Sequence, residues 1–210
     1  MKIGNCKIPP QFWYHGHVSE KRFLIGIDEV GRGPLAGPVA VGAVAVPYDF
    51  DWTAVLGVRD SKKLSPRSRE AWNRKIQTLR LEKKLNFSVS FSSAQMIDRR
   101  GIVFAIRSAL VKCLKQLGAT PRNCEILLDG SLYAPKNFHA QKTIIGGDDL
   151  EPVISMASIV AKVRRDKLMR NLAIRYPKYG LEFHKGYGTR RHYEALQKFG
   201  LCKIHRSTFI

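Results

Sequence analysis

Two apolar runs in this chain end in acid. In Ile25-Gly26-Ile27-Asp28-Glu29 and in Ile126-Leu127-Leu128-Asp129-Gly130, a short hydrophobic stretch leads straight into carboxylate. A further pair, Asp148-Asp149, follows Gly146-Gly147. Ionised carboxylates are costly inside a sheet, so acids that finish buried strands belong at its edge. In α/β folds the carboxyl ends of neighbouring strands form the crevice where ligands bind. If the two strands are parallel neighbours, Asp28 and Asp129 converge there, with Glu29 beside them. Carboxylates gathered at one point repel one another, and they either share protons or bind divalent cations. A lone strand-end aspartate can simply close a turn; two such ends plus the Asp148-Asp149 pair favour metal. Hard oxygen ligands suit Mg2+ or Mn2+, which also bind phosphate oxygens.

The stretch Gly31-Arg32-Gly33-Pro34-Leu35-Ala36-Gly37-Pro38 follows the first acids directly. Glycines let a backbone approach a ligand closely and expose its N–H groups. Arg32, between two of them, is placed to reach a phosphate or to leave the backbone free to read a sugar edge.

These groups need a scaffold, and periodicity outlines one. Phe23–Asp28 predicts a short buried strand. Val39–Val46 predicts a second, closely covered by another element. In Asn86–Ser92, Phe87, Val89 and Phe91 face one way and Ser88, Ser90 and Ser92 the other, which predicts a half-buried strand. Glu125–Asp129 and Lys142–Ile145 read as further strands. Ser65 before Pro66 starts a helix running to about Leu79. A second helix is expected over about Gly101–Leu117, with Ile102, Ile106, Leu110 and Leu114 on one face, stopped by Gly118 and Pro121. Later helices are expected at about Ile154–Ile174 and Arg190–Phe199. This order implies an α/β fold, a mixed sheet covered by helices with a helical C-terminal region. The expected division is an N-terminal arm over 1–21, carrying Phe12, Trp13 and Tyr14, and one catalytic domain over 22–210.

Composition narrows the partner. Among 210 residues, 36 are Lys or Arg and 17 are Asp or Glu, a net charge of +19. A surface this basic calls for a polyanion, and nucleic acid is the first candidate. No apolar run is long enough to span a bilayer, and Met1–Tyr14 lacks the features of a secretory signal. The four cysteines, Cys6, Cys113, Cys124 and Cys202, form no C-x-x-C pair. Reduced thiols in a cytoplasmic protein fit that scatter. His15 and His17 lack further ligands nearby and are not read as a metal site. A monomer is the default expectation, with no membrane partner.

Taken together, these blocks resemble the type 2 ribonucleases H, specifically ribonuclease HII. The resemblance runs from Gly26-Ile27-Asp28-Glu29-Val30-Gly31-Arg32-Gly33-Pro34-Leu35-Ala36-Gly37-Pro38-Val39 through Asp60-Ser61-Lys62-Lys63-Leu64-Ser65 and Leu128-Asp129-Gly130. It continues at Ser158-Ile159-Val160-Ala161-Lys162-Val163-Arg164-Arg165-Asp166 and closes at Tyr176-Pro177 and His184-Lys185-Gly186-Tyr187-Gly188-Thr189. The chain departs from the usual pattern at Val30, where Ala is usual, and at Met156, where a small residue is usual. It also departs at Gly146-Gly147-Asp148-Asp149, which lacks a lysine before the fourth acid. The sister type, ribonuclease HIII, often has Val at the first of these positions but Lys in the middle of the glycine loop; Arg32 favours type HII.

The resemblance implies a ribonuclease H-like fold with a mixed five-stranded sheet. It implies hydrolysis of the RNA strand of RNA–DNA hybrids and incision at single ribonucleotides in duplex DNA, leaving 5′-phosphate and 3′-OH ends. It maps the metal-binding catalytic acids to Asp28, Glu29, Asp129 and Asp148. Asp149 competes for the fourth place, and the spacing to Ser155 and Ser158 favours Asp148. Two divalent ions are expected during catalysis, one activating water and one stabilising the departing 3′-oxygen. The resemblance maps reading of the ribose 2′-OH to Gly31, Arg32 and Gly33, and sensing of the RNA–DNA junction to Tyr187. Lys62, Lys63, Lys162, Arg164 and Arg165 are expected at phosphates, and His184 at the substrate rim.

Overall fold

Phe23–Val30 forms strand β1 and Val39–Pro47 forms β2, in a computed structural model that describes residues 22–58, 61 and 63–210. The expected N-terminal arm, His15, His17 and Lys62 lie outside the described residues. Pro66–Leu81 follows as α1, Asn86–Ser92 as β3, Ala94–Arg100 as α2 and Ile102–Gln116 as α3. Then come β4 (Cys124–Asp129), β5 (Gln141–Ile144), the single turn α4 (Gly147–Leu150) and the long α5 (Pro152–Arg175). Leu181–His184 forms α6 and Arg190–Phe199 forms α7.

The five strands make one mixed sheet in the order β3-β2-β1-β4-β5. Strands β3, β2 and β1 are antiparallel to their neighbours, whereas β1–β4 and β4–β5 are parallel. Along β1 the side chains alternate. Ile25 and Ile27 join a core with Val41, Ile106, Leu110 and Ile126 on the α3 side. Leu24 joins Val44, Ile76, Ile154 and Val160 on the α1 and α5 side. Covering both faces explains why β1 reads as a continuous apolar run rather than an alternating one.

Helix α5 lies with its backbone against the sheet. A Cβ on Gly26 would meet the carbonyl carbon and oxygen of Val153 at 2.4 Å, and one on Gly42 would meet the oxygen of Ala157 at 2.4 Å. These two glycines set how deep α5 sits, and so where its polar residues reach the strand ends.

One expectation needs correction here. The serine face of β3 is not solvent-facing. Ser88, Ser90 and Ser92 are buried, with Ser88 and Ser90 hydroxyls donating to Gln116 Oε1 on α3. A polar side chain tolerates burial when it is hydrogen-bonded, and the alternation hid a second covered face. The helix expected over about Gly101–Leu117 is α3, and what the sequence reading lacked is the separate α2 that precedes it. Gly101, at φ 81°, is the joint between them. Ser65 caps α1 as expected, its hydroxyl accepting from Ser68 N–H at 3.1 Å.

Candidate active site

In the parallel pairing of β1 with β4, Ile27 lies opposite Leu128. The next residues, Asp28 and Asp129, therefore stand side by side; Asp129 ends β4, whereas Asp28, expected to end its strand, lies within β1, which runs on to Val30 against β2. Glu29 follows on β1, half-buried, with Arg32 Nη1 at 3.6 Å from its carboxylate. The turn α4 carries Asp148 to the same place, where its backbone N–H donates to Asp129 Oδ1 at 3.4 Å. Asp148 is 5% exposed, whereas Asp149 points away and pairs with Lys63 Nζ at 2.6 Å. Of the doubled acids, Asp148 is the one beside Asp129.

Burial pushes the Asp28 carboxyl well above the ordinary carboxylate range. The negative charges of Glu29, Asp129 and Asp148 push it the same way, and a hydrogen bond from Ser158 offsets part of the rise. Burial also raises Glu29, with Arg32 opposing and Asp129 adding to the shift. All four donors are carboxylates, and their mutual repulsion is what a divalent cation relieves. The donor set therefore fits Mg2+ or Mn2+. Among the described residues no three acidic, histidine or cysteine side chains close around an ion by themselves.

Helix α5 holds this edge from below. Ser155 Oγ donates to the backbone oxygen of Asp148 at 2.7 Å. Ser158 Oγ lies 2.8 Å from Ser61 Oγ and hydrogen-bonds Asp28. Both serines are about 1% exposed. Met156, larger than the usual residue there, is fully buried in the α5-side core.

The glycine loop after β1 rests on two arginines. Arg206 donates through Nε to Gly37 O (3.0 Å), Nη1 to Arg32 O (2.8 Å) and Nη2 to Gly31 O (2.7 Å). Arg165 donates through Nε to Pro38 O (2.9 Å), Nη1 to Lys185 O (3.1 Å) and Nη2 to Ala36 O (3.4 Å). Both are fully buried. Arg165, expected at a phosphate, is thereby corrected: its guanidinium faces the interior and is taken up by backbone carbonyls. Nothing marked it in the sequence apart from the other basic residues of α5. Arg206 was not anticipated at all. Burial and the like charge of Arg165 pull its pKa down to about 9, which leaves it cationic at neutral pH. A buried guanidinium costs several kcal/mol in lost hydration, offset by charge-assisted bonds of roughly 1.5–3 kcal/mol each.

Gly31, at φ 90°, has the Arg165 side chain against it; a Cβ there would lie 2.1 Å from Nε. Gly33 differs, because a Cβ there meets nothing within 4 Å. Its bareness serves no internal packing. Of the other expected phosphate contacts, Lys162 pairs with Asp166 at 2.8 Å and Arg164 is exposed.

Tyr187 is 42% exposed, near the Arg165 guanidinium, whose carbon lies 6.0 Å from the ring centre. Three histidines stand behind it. His184 is 8% exposed, so its expected place on the substrate rim is corrected. Its Nε2 lies 2.8 Å from Tyr179 O, and its Nδ1 accepts from Gly186 N–H at 3.2 Å. His192 Nδ1 lies 2.9 Å from the carbonyl of Tyr187, and its Nε2 lies 3.1 Å from His205 Nε2. His205 Nδ1 accepts from Cys202 N–H at 2.9 Å. Carbonyls only accept and N–H groups only donate, so these partners assign one neutral tautomer to each ring. His205 Nε2 then donates to His192 Nε2.

A second proton on any of the three rings breaks a bond in this chain. Burial and His192 hold His205 down at about 4, against an ordinary 6.5. A base whose folded pKa is depressed contributes fully above its unfolded value and loses that contribution as pH falls toward the folded one. The window is therefore from about pH 6.5 down to about 4. Denaturant unfolding at pH 5.0 should give a stability about 2 kcal/mol below that at pH 7.5 from His205 alone. His205→Gln should shrink the drop by that amount; an identical drop in the variant rules the ring out as its source.

The family model described as Ribonuclease HII matches residues 25–210. The chain is 41% identical over 210 residues to ribonuclease HII of Leuconostoc mesenteroides, covering 99% of this chain and 76% of that protein. It is 42% identical over 199 residues to ribonuclease HII of Lactobacillus johnsonii, covering 95% and 73%. Its fold superposes on a chain of the PCNA:RNase HII complex from Archaeoglobus fulgidus, with a TM-score of 0.71, 25% identity and coverage of 88% and 94%. Ribonuclease H2 from Pyrococcus horikoshii gives 0.64, 26% identity and coverage of 89% and 93%.

Proposed function

Because this chain belongs to the ribonuclease HII family and is an endoribonuclease hydrolase, we propose that it hydrolyses the RNA strand of RNA–DNA hybrids and incises duplex DNA 5′ to single embedded ribonucleotides. The incision leaves 5′-phosphate and 3′-OH ends. The observation that carries this reading is one of placement. Asp28, Glu29, Asp129 and Asp148 share one sheet edge, and the glycine loop with its open Gly33 backbone continues directly from it.

Asp28, Glu29, Asp129 and Asp148 would hold the divalent ions, Mg2+ or Mn2+. When bound, these ions supply an activated water and charge stabilisation at the leaving oxygen. Asp28 is oriented by Ser158 and by its Oδ1 accepting from Glu29 N–H at 2.7 Å. Asp148 is held through its backbone by Ser155. Arg32 stands over Glu29, half exposed, within reach of a phosphate. Specificity comes from the 2′-OH, the group that separates RNA from DNA at a given site. Gly33 allows a sugar edge to approach the backbone of Arg32 and Gly33. Tyr187 packs on the deoxyribose next to the ribonucleotide, where a second 2′-OH would collide. The net charge of +19 attracts the duplex as a whole.

The test compares cleavage of a duplex holding one ribonucleotide with cleavage of a continuous hybrid. Tyr187→Ala should abolish the preference for the isolated ribonucleotide, a change of about tenfold or more if packing on one sugar contributes about 1–3 kcal/mol. An unchanged ratio removes Tyr187 from the junction.

A further inference from the structure

Arg206 lies in the segment after α7, far in sequence from Asp28, Glu29, Asp129 and Asp148, yet its guanidinium is taken up by the loop that follows β1. It donates to the carbonyls of Gly31 and Arg32, the first two residues of the glycine–arginine–glycine turn. In a trans peptide the C=O of one residue and the N–H of the next point in opposite directions. No cis peptide occurs among the described residues. Drawing the Gly31 carbonyl inward therefore turns the Arg32 N–H outward. Drawing the Arg32 carbonyl inward does the same to the Gly33 N–H. Neither N–H donates to any backbone group among the described residues. They stand beside the one loop glycine whose missing Cβ leaves open space.

We propose that Arg206 is a positioning residue for ribose recognition, holding two peptide planes so that the Arg32 and Gly33 N–H groups face the incoming sugar. This rests on the reading of the loop as the ribose reader. Only a guanidinium fits the task, since its planar fork carries five donors and reaches three carbonyls at once. Lysine carries the charge on a single nitrogen with no fixed fork. Arg165 locks the far end of the same loop through Ala36 and Pro38. The Arg206 backbone is itself tied to the loop, its N–H donating to Leu35 O at 2.8 Å. Asp98 anchors the residues beyond it, accepting from Ser207 N–H at 3.0 Å and Thr208 N–H at 3.1 Å. The contact between segment and loop is therefore rigid on both sides.

The experiment measures equilibrium binding, with divalent metal withheld, to two duplexes of one sequence. One carries a single ribonucleotide and the other is all DNA. For Arg206→Lys the ratio of the two affinities should fall about tenfold, the scale of one misdirected hydrogen bond. Affinity for the all-DNA duplex should stay within about twofold of wild type, because phosphate attraction is unchanged. A merely structural role would weaken both duplexes alike and leave the ratio intact, which overturns the proposal. Arg206→Gln, which keeps amide donors without a buried charge, gives the same reading if the lysine variant unfolds. Gly33→Val separates the two levels. If it collapses the ratio while both Arg206 variants preserve it, the loop reads ribose and Arg206 does not position it. If Gly33→Val leaves the ratio unchanged, the loop reading fails and the proposal with it.

Discussion

Asp129→Asn should lower Mg2+-dependent cleavage at least about a thousandfold, equivalent to roughly 4 kcal/mol of barrier. Asp129 adjoins Asp28 across the parallel pair and accepts from the Asp148 backbone. An amide oxygen keeps the shape but not the charge, and a divalent ion gains most from charge. The same substitution should leave the metal-free protein as stable as before or more so, because it removes one of the carboxylates that push Asp28 upward. Activity and stability then move in opposite directions, as expected where a site holds repulsion for function. Thermal unfolding in EDTA, run beside the cleavage assay, separates this from a folding defect. Near-wild-type cleavage by Asp129→Asn in Mg2+ contradicts the metal assignment.

The second large effect is one of packing. Gly26→Ala adds one methyl group where the α5 backbone already sits, with Val153 C and O at 2.4 Å and Ile154 N at 2.6 Å from the new Cβ. A backbone cannot rotate away as a side chain can, so α5 must lift from the sheet. Overpacking of this kind costs about 3 kcal/mol or more. The same turns of α5 carry Ser155 against Asp148 and Ser158 against Asp28, so metal-dependent cleavage should fall as well. Urea unfolding measures the first effect. A loss under about 1 kcal/mol with full activity shows that α5 is not seated on Gly26 in the way described.

Much of the site was legible before the structure. Acids that end apolar runs have few places to go: Asp129 ends β4 as strand-end logic expects, whereas Asp28 lies inside β1, which runs on to Val30. That their strands are parallel neighbours was a condition of that logic, and the sheet order meets it. The resemblance supplied Asp148, and the geometry separates it from Asp149 through burial and the Lys63 pair. What stayed hidden shares one physical character. A basic residue in a chain of net charge +19 reads as surface, so Arg165 was assigned to phosphate although it is fully buried. Arg206 and the histidines at 184, 192 and 205 act through backbone groups and, for His192 and His205, through each other, all brought near only by the fold. Such contacts leave no periodicity and no spacing to read. The serines of β3 misled for the converse reason: alternation reports polarity, and Gln116 made polarity compatible with burial.

The central claim is that four carboxylates on this sheet edge hold metal for a cut directed by ribose. The most direct measurement is incision of a duplex containing one ribonucleotide, in Mg2+ and in EDTA, with the cut mapped and its ends typed. A single cut 5′ to the ribonucleotide, leaving 5′-phosphate and 3′-OH ends, only with metal and never in the all-DNA duplex, is the expected result. Cleavage that persists in EDTA, or that falls equally on the all-DNA duplex, contradicts it.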